Sequence, residues 1–336
     1  MDIKDKIEIG MQERDYSIDI LKFLAVFLII NSHMDICYPK YSVLATGGAI
    51  GDCLFLFASG YTLFWKQPIG FLGWYKRRIN RIYPSVFMCA LVGALVTGAS
   101  SIPLIRFGGG EFVIFIMLYY VLLYVVQKYM VSRIPLVMCV VAAISVAVYL
   151  FWFPYKYETS IRGLYGISTL YRWIPYFGFM LMGAWVGLRA KMPNGKMKCK
   201  WYDPVLFLLS LAVFYGIQFM AKKHLEVAPW QIVTLLPLAG IVFYFYKICN
   251  ANIFEKLYHT KSGNWVILFV SGLCLESYLI QHYLFTDKLN GLFPLNIPIM
   301  MLIILFASYV CRCLAKAFSQ TFGTGDYDWK KVFVLV

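Results

Sequence analysis

The sequence predicts an all-α, polytopic integral membrane protein with about ten transmembrane helices and both termini in the cytoplasm. Of its 336 residues, 61% are hydrophobic and only 14% are charged, whereas soluble domains carry about 25% charged residues. The hydrophobic residues fall into separate segments of about 20 residues, the length that crosses a bilayer as a helix. The basic residues are concentrated in short connections between these segments, as is typical of membrane proteins.

Ten segments are long and apolar enough to be candidate spans. They cover residues 17–36, 43–65, 82–100, 111–130, 134–153, 172–189, 203–221, 230–249, 264–285 and 296–316. The second is the least uniform, because three glycines and Asp52 interrupt its first half. Irregular or polar backbone at membrane depth is tolerated where it packs closely or lines a cavity. We therefore expect the first half of this span to be bent or partly unwound.

The connections between the segments set the predicted orientation. With the N-terminus inside, the inner connections and termini hold 22 of the 31 lysines and arginines and the outer loops hold 8, with Lys22 inside a span. Inner connections are enriched in basic residues, so both termini are predicted to be cytoplasmic. The chain then divides into a cytoplasmic segment 1–16, a membrane domain 17–316 and a cytoplasmic tail 317–336.

Composition and spacing also exclude several classes of protein. The net charge of +14 does not indicate nucleic-acid binding, because the charge follows the pattern of membrane topology. The nine cysteines and four histidines have no zinc-type spacing, so we expect no metal site. The first sixteen residues are polar and of mixed charge, so we expect the first span to act as an uncleaved signal-anchor.

The first span carries a polar stripe formed by Asp19, Lys22 and His33. Asp19 and Lys22 are three residues apart, on neighbouring positions of a helix face. Lys22 and His33 are eleven residues apart, which is close to three full turns and a rise of about 16 Å. Ionisable groups inside a membrane are expensive and are usually functional. The alternative is that Lys22 and His33 reach the two membrane interfaces.

The second span contains Phe57-Ala58-Ser59-Gly60-Tyr61. Small residues such as Ser59 and Gly60 allow helices to pack closely in membranes, which is the structural alternative to a binding role. The segment lacks the leading glycine of a nucleophile elbow, so a serine hydrolase is not expected. Asp52, in the first half of the same span, is a candidate for contact with an acceptor hydroxyl or a water molecule, or for a helix-terminal role.

A dense basic run precedes the third span, with Arg77, Arg78 and Arg81 followed by Tyr83-Pro84. Arginine suits phosphate because its planar guanidinium binds two oxygens at once. Arg81 is three or four residues from the other two arginines, so the cluster shares one face if the run is helical. Anionic lipid headgroups would satisfy the same arginines.

Together these stretches resemble acyltransferase family 3, bacterial integral-membrane enzymes that O-acylate cell-surface polysaccharides and related glycans. The family opens with Asp-x-Leu-Arg and a histidine eleven residues past that arginine. Phe-x-x-Ser-Gly-Phe/Tyr and Arg-Arg-x-x-Arg-hydrophobic-Tyr-Pro follow. The matching residues are Asp19, Leu21, Lys22, His33, Ser59, Gly60, Tyr61, Arg77, Arg78, Arg81, Tyr83 and Pro84.

Two positions depart from the family pattern. Lys22 stands where the family has arginine, which keeps the charge but loses the bidentate geometry. Late in the chain the family often reads Leu-Glu-Ile-Tyr-Leu-Ile-His, and here Gln281 takes the place of that histidine and His282 follows it. One helical position is about 100°, so His282 is expected to face elsewhere. Glu276, an acid within a span, and His282 are further candidate contacts to substrate.

The resemblance implies a bacterial inner-membrane enzyme with a cytoplasmic acyl-CoA donor, usually acetyl-CoA, and a glycan or lipid-linked sugar as acceptor. Under this hypothesis Arg77, Arg78 and Arg81 bind the donor phosphates. His33 then acts as general base on the acceptor hydroxyl, or carries the acyl group covalently. Lys22, paired with Asp19, orients the polar stripe, and Tyr83, Ser59 and Gly60 are expected at the donor site.

Two other classes remain open from the sequence alone. A transporter of a glycan or lipid precursor would also have a broken span and intramembrane ionisable groups. A membrane-embedded sensor or assembly partner is the third alternative, but it leaves the arginine cluster and the stripe ending at His33 without a role. Aromatic outer segments such as 151–155 and 171–173 suit sugar rings and interfacial belts equally well.

Overall fold

The computed structural model describes residues 14–64, 70–98, 109–152, 163–165, 170–323 and 325–334. These residues form helices joined by turns and short 3₁₀ segments, with no β-strand among them. The helices are α1 Tyr16–Ser32, α2 Gly48–Leu63, α3 Phe71–Thr97, α4 Gly110–Tyr129, α5 Ile134–Phe151, α6 Trp173–Ala190, α7 Asp203–Lys223, α8 Leu235–Cys249, α9 Asn252–His259, α10 Lys261–Gly272, α11 Cys274–Ile280, α12 Asn296–Thr321 and α13 Trp329–Phe333. Most of the predicted N-terminal segment, residues 1–13, lies outside the described residues.

The helices have the length and composition of a multi-pass membrane protein. Within the described ranges, seven helical segments are long and apolar enough to cross a membrane, or eight if α10 and the bent segment after it form one span. Helices occur at all ten predicted positions. Two of the helices at these positions are not among the candidate spans. They are α1, which has 17 residues, and α6, which has 18 residues, twelve of them buried. Both are surrounded by other helices, which reduces their need for an apolar surface.

Two segments differ in detail from the sequence-based expectation. The third helix begins at Phe71 rather than near residue 82, so the basic run is helical and not a loop. Hydropathy identifies only the part of a helix that can contact lipid. The helix itself can begin earlier in the chain, and here it begins directly after Gly70. The ninth segment bends by 50° at Leu273, between α10 and α11.

The second span is irregular only before α2. A short 3₁₀ segment covers Ser42–Leu44, and Gly47 adopts a left-handed conformation with φ of 102°. The α-helix is continuous from Gly48 onwards, through Gly51 and Asp52. The expected irregularity is therefore present in the first half of the predicted span, up to Gly47, and the rest of that half is regular helix. Gly51 serves close helix packing there, since a Cβ would lie 2.7 Å from the Ile29 side chain of α1.

The backbones of α2 and α6 are in unusually close contact. A Cβ at Gly60 of α2 would lie 1.8 Å from the carbonyl oxygen of Met180, and one at Gly183 of α6 would lie 2.0 Å from that of Phe57. Only glycine allows two helices to approach this closely. The packing alternative therefore fits Gly60. Helix α1 completes the centre of the fold by packing against α2, α8, α10 and α11.

Asp15 ties the start of α1 to two distant segments. Its carboxylate caps the helix by accepting a hydrogen bond from the Ser17 backbone N–H (3.1 Å). It also accepts hydrogen bonds from the Tyr61 hydroxyl of α2 (2.6 Å) and the Lys196 ammonium (3.0 Å). Burial alone would raise the pKa of Asp15, but Lys196 and these hydrogen bonds outweigh it and hold the pKa below its ordinary 3.8.

We predict that Asp15→Asn destabilises the protein at neutral pH by about 1–3 kcal/mol, since it leaves buried donors unmatched. Because the folded-state pKa is lowered, the stabilisation is present above the unfolded-state pKa and is lost as pH falls through the folded-state value. Wild-type protein should therefore lose stability on acidification below about pH 4, and the variant should lose less. Thermal unfolding in detergent at pH 7 and pH 3.5 measures both effects, with the exposed Asp326→Asn as control. Equal pH dependence in variant and wild type would contradict the assignment.

A second prediction separates the two neighbours in α2. Gly60→Ala should lower the unfolding temperature, at a cost of about 1–3 kcal/mol for overpacking, because its Cβ meets the Met180 carbonyl. Ser59→Ala, which does not lie at this contact, should leave the unfolding temperature nearly unchanged. If Gly60→Ala unfolds at the wild-type temperature, the close contact between α2 and α6 is wrong.

Candidate active site

Four basic side chains line one internal cavity of about 110 Å³. They are Lys22 of α1, Arg78 and Arg81 of α3, and Arg312 of α12. Glu276 of α11 is the single carboxylate in the described part of the lining. We refer to this space as the cationic cavity. Its excess of positive charge inside a membrane protein favours an anionic ligand, since charges there need partners.

The cationic cavity brings together residues that the sequence analysis selected from separate motifs. Lys22, Ser59, Arg78, Arg81 and Glu276 all line it. The helical start of α3 explains the arginines, because residues three apart lie on one face of a helix.

Three other predicted donor-site residues lie elsewhere. Arg77 is exposed and outside the cavity lining. Tyr83 packs against the apolar core, and Gly60 faces Met180 in the contact between α2 and α6.

Aromatic rings hold Arg78 in position. Its guanidinium carbon lies 5.1 Å from the ring centre of Trp74 and 6.0 Å from that of Tyr120. Both distances suit a cation–π interaction. The Nε of Arg78 is buried and has no hydrogen-bond partner within the described residues. The side chain is therefore oriented by aromatic contacts while keeping donor capacity for another group.

Glu276 connects three helices at the wall of the cationic cavity. Its carboxylate is fully buried and accepts hydrogen bonds from the Ser85 hydroxyl of α3 (2.5 Å) and the Arg312 guanidinium of α12 (2.9 Å). The sequence analysis selected Glu276 but missed Arg312, which it counted only as a topology charge. The signal was present, since Arg312 lies inside the last apolar segment, where a charge is unusual.

The predicted pair between Asp19 and Lys22 is wrong. Asp19 instead accepts hydrogen bonds from the Arg14 guanidinium, one of them at 3.0 Å, and from the Tyr258 hydroxyl at 3.2 Å. No hydrogen bond or ion pair joins Asp19 to Lys22 in the described chain. Residues three apart on a helix differ in direction by about 60°, and Lys22 turns to the cavity. Asp19 therefore helps to fix the first turn of α1, where an acidic side chain is favourable.

His33 lines a second cavity of about 100 Å³ at the other end of α1. Ser32, Asp52, Arg172 and Tyr278 also line it. We refer to it as the histidine cavity. It places the predicted general base and the candidate acceptor contact Asp52 in the same space.

His282 lies beside His33, contrary to the expectation that it faces elsewhere. The ring centres of the two histidines are 4.6 Å apart in an edge-to-face arrangement. The prediction assumed that a regular α-helix continues through residue 282, but α11 ends at Ile280 and Gln281–Tyr283 is a 3₁₀ turn, so a helical-wheel angle does not fix the direction of His282. Gln281 is fully buried, and its side-chain amide has no hydrogen-bond partner among the described groups.

Arg172 is a second basic residue that the sequence analysis assigned to topology alone. It lines the histidine cavity, donates a hydrogen bond to Glu111 (3.3 Å) and lies 5.0 Å from the Trp173 ring centre. The histidine cavity thus combines cation, carboxylate, imidazole and aromatic groups, which can bind a polar molecule bearing hydroxyls. Within the described residues, no group of three or more His, Cys, Asp or Glu side chains could hold a metal ion.

A single layer of aromatic rings separates the two cavities. Phe112 of α4 lines the cationic cavity, and its ring centre lies 5.5 Å from that of Phe55 and 4.9 Å from that of Tyr278. Tyr278 in turn lines the histidine cavity. The Phe112 and Tyr278 rings, in contact with each other, therefore lie between the two cavities.

Residues 15–313 match the sequence model of acyltransferase family 3, described as an acyltransferase domain. The match covers most of the chain and confirms the resemblance seen in the three motifs. No match was found among curated proteins or among solved structures.

Breaking the ion pair between Glu276 and Arg312 should destabilise the protein strongly. Glu276→Gln leaves the Arg312 charge unpaired, and removing one partner of a buried pair costs about 3–5 kcal/mol. The double variant Glu276→Gln/Arg312→Gln should be less destabilised than the sum of the two single variants. Thermal unfolding in detergent tests this, with Asp328→Asn as the control. Asp328 forms an exposed pair with Lys331, and such pairs contribute little. Additive effects in the double variant would contradict the coupling.

Proposed function

We propose that this chain, which belongs to acyltransferase family 3, moves an acyl group from cytoplasmic acyl-CoA to a hydroxyl of a cell-surface glycan or its lipid-linked precursor. Acetyl-CoA is the proposed donor. The observation that carries the proposal is the arrangement of two cavities on either side of Phe112. One has four basic side chains in its lining, and the other has His33.

The cationic cavity supports an acyl-CoA donor. Arg78 and Arg81 offer planar guanidinium groups that match phosphate oxygens, and Lys22 adds a charge deeper along α1. Glu276 offsets only one of the four positive charges. The volume of about 110 Å³ suits a narrow pantetheine chain. The rise of about 16 Å along α1 from Lys22 to His33 is comparable with an extended pantetheine arm.

His33 is the proposed general base. It takes the proton of the acceptor hydroxyl, and the hydroxyl oxygen attacks the carbonyl carbon of the thioester. The carbon–sulfur bond breaks, and the thiolate leaves and takes up a proton as the CoA thiol. In the covalent variant, His33 itself accepts the acyl group before the hydroxyl does. His282 packs on His33 and would hold its ring in position, while Asp52 would bind the acceptor.

We further propose ten membrane-spanning helices with both termini in the cytoplasm, in the inner membrane of a bacterium. Support comes from the excess of lysine and arginine in the inner connections and from helices at all ten predicted positions. In this orientation the arginines of α3 lie at the cytoplasmic side, where acyl-CoA is available. His33 lies towards the outer side, where a surface glycan is exposed.

Transport without acyl chemistry is the second candidate. The break at Leu273 between α10 and α11 favours it, because discontinuous helices form substrate sites in many transporters. A transporter would move a glycan or lipid precursor without consuming acyl-CoA. In an acyltransferase the same break would place Glu276 at the cationic cavity and His282 against the ring of His33.

The test uses the purified chain in nanodiscs with radiolabelled acetyl-CoA and a panel of lipid-linked sugars. Arg78→Ala should weaken acetyl-CoA binding by about tenfold or more, whereas the exposed neighbour Arg77→Ala should not. His33→Ala should keep binding but reduce acetyl transfer by about 10²–10⁴-fold, the usual contribution of a general base. His224→Ala, outside both cavities, is its control. Folded wild-type protein that neither binds acetyl-CoA nor releases CoA, yet moves the sugar across the membrane, would show the transporter to be correct.

A further inference from the structure

A larger cavity adjoins the cationic cavity and lies between α3, α12 and the C-terminal segment 325–334. Its volume is about 500 Å³, and Asn80, Arg81, Arg312, Lys316 and Lys331 are among the residues that line it. We call this space the vestibule. Four of these side chains are basic, and the described lining contains no carboxylate.

The vestibule and the cationic cavity have two lining residues in common. Arg81 and Arg312 line both spaces. Ser85, which also lines the vestibule, donates its hydroxyl to Glu276 on the cationic side. A ligand could therefore extend from one space into the other past the two arginines.

The C-terminal segment is folded onto α12 by specific hydrogen bonds. The Lys316 ammonium donates to the carbonyl oxygens of Lys331 (3.2 Å) and Val334. The Gln320 amide donates to the Asp328 carbonyl (3.1 Å) and accepts from the Asp328 N–H (2.8 Å). These contacts bring Lys331 to the edge of the vestibule. The segment lies beyond residue 313, where the family match ends.

The two spaces differ in the size of ligand that they can hold. Binding sites for small molecules typically measure about 300–1,000 Å³, so the vestibule can hold a nucleotide and the cationic cavity cannot. A phosphomonoester carries a charge of about −1.5 to −2 at pH 7, and a diphosphate adds more. With Arg312 paired to Glu276, Arg81, Lys316 and Lys331 remain to meet this negative charge, and the described lining holds no carboxylate.

We propose that the vestibule binds the nucleotide end of the acyl-CoA donor, with Lys316 and Lys331 forming a subsite for its 3′-phosphate. This inference rests on the proposed function, because it takes acyl-CoA as the donor. Arg81, which lines both spaces, then meets the diphosphate at the boundary together with Arg78 of the cationic cavity, and the pantetheine arm continues into that cavity. Lys316, near the end of α12, and Lys331, in the C-terminal segment, both lie beyond residue 313, outside the part of the chain that matches the family.

Both lysines can accept a phosphate without breaking a strong interaction. Lys331 pairs with Asp328 at 3.0 Å, but both side chains are largely exposed, and such pairs are weak. Lys316 bonds to neutral carbonyl oxygens, which leave its positive charge uncompensated. A 3′-phosphate would therefore contact the uncompensated Lys316 ammonium and the Lys331 ammonium, which is easily released from Asp328.

The test compares binding of CoA and of dephospho-CoA, which lacks only the 3′-phosphate, to the full chain in phosphatidylcholine nanodiscs. Wild-type protein should bind CoA about tenfold more tightly, the effect expected of charge-assisted contacts to one phosphate. Lys331→Gln and Lys316→Gln/Lys331→Gln should reduce this ratio towards one by weakening CoA binding alone. Lys331→Glu should reduce it further. Lys330→Gln, on the same helix but outside the vestibule lining, should keep the wild-type ratio.

Three outcomes would overturn the 3′-phosphate subsite. A wild-type ratio in folded Lys331→Glu and in the double variant would overturn the subsite while leaving the acyltransferase proposal intact. Wild-type protein that binds neither CoA nor dephospho-CoA would overturn both proposals. If the lysine variants change only the retention of phosphatidylglycerol in mixed nanodiscs, the vestibule is a lipid headgroup site and the inference is wrong.

Discussion

The burial of Glu276 is the constraint around which the cationic cavity is arranged. A carboxylate with no exposure is stable only when charged or hydrogen-bonding groups surround it, and here Ser85 and Arg312 provide them. These contacts bring α3 and α12 to α11 and so fix the wall shared by the cationic cavity and the vestibule. Because Glu276 is already matched by Arg312, the charges of Lys22, Arg78 and Arg81 remain for a ligand.

The glycine contact between α2 and α6 gives the cavity its opposite wall. Gly60 and Gly183 bring the two backbones together, which fixes the rotation of α2 about its axis. Ser59, one position from Gly60, then turns to the cationic cavity, and Asp52 lies two turns earlier beside the histidine cavity. The same motif therefore packs against α6 through Gly60 and lines the cationic cavity through Ser59. This explains why the two interpretations of Phe57–Tyr61 could not be separated from sequence.

The sequence predicted the class of fold and the motifs that meet in the site, and its errors have identifiable physical causes. Hydropathy located a helix at each position that it predicted, because apolar length is a local property. It could not show that α3 extends beyond its apolar part. The placement of His282 failed because the change from α to 3₁₀ after Ile280 depends on tertiary contacts. Arg312 and Arg172 were overlooked because a basic residue near a span end has an adequate explanation in topology, and only the fold shows which ones turn inward.

The aromatic layer at Phe112 also bears on the electrical integrity of the membrane. If the two cavities open to opposite faces, as proposed, joining them would create a continuous aqueous path through the protein. Moving one charge through 100 mV releases about 2.3 kcal/mol, so an open path would dissipate the ion gradients of the cell. Apolar rings exclude water and ions, whereas a pantetheine chain that displaces them fills the same space. If acyl-CoA is the donor, as proposed, the rings block this passage when it is empty and the pantetheine arm blocks it during transfer, so acyl groups would cross without a leak of protons.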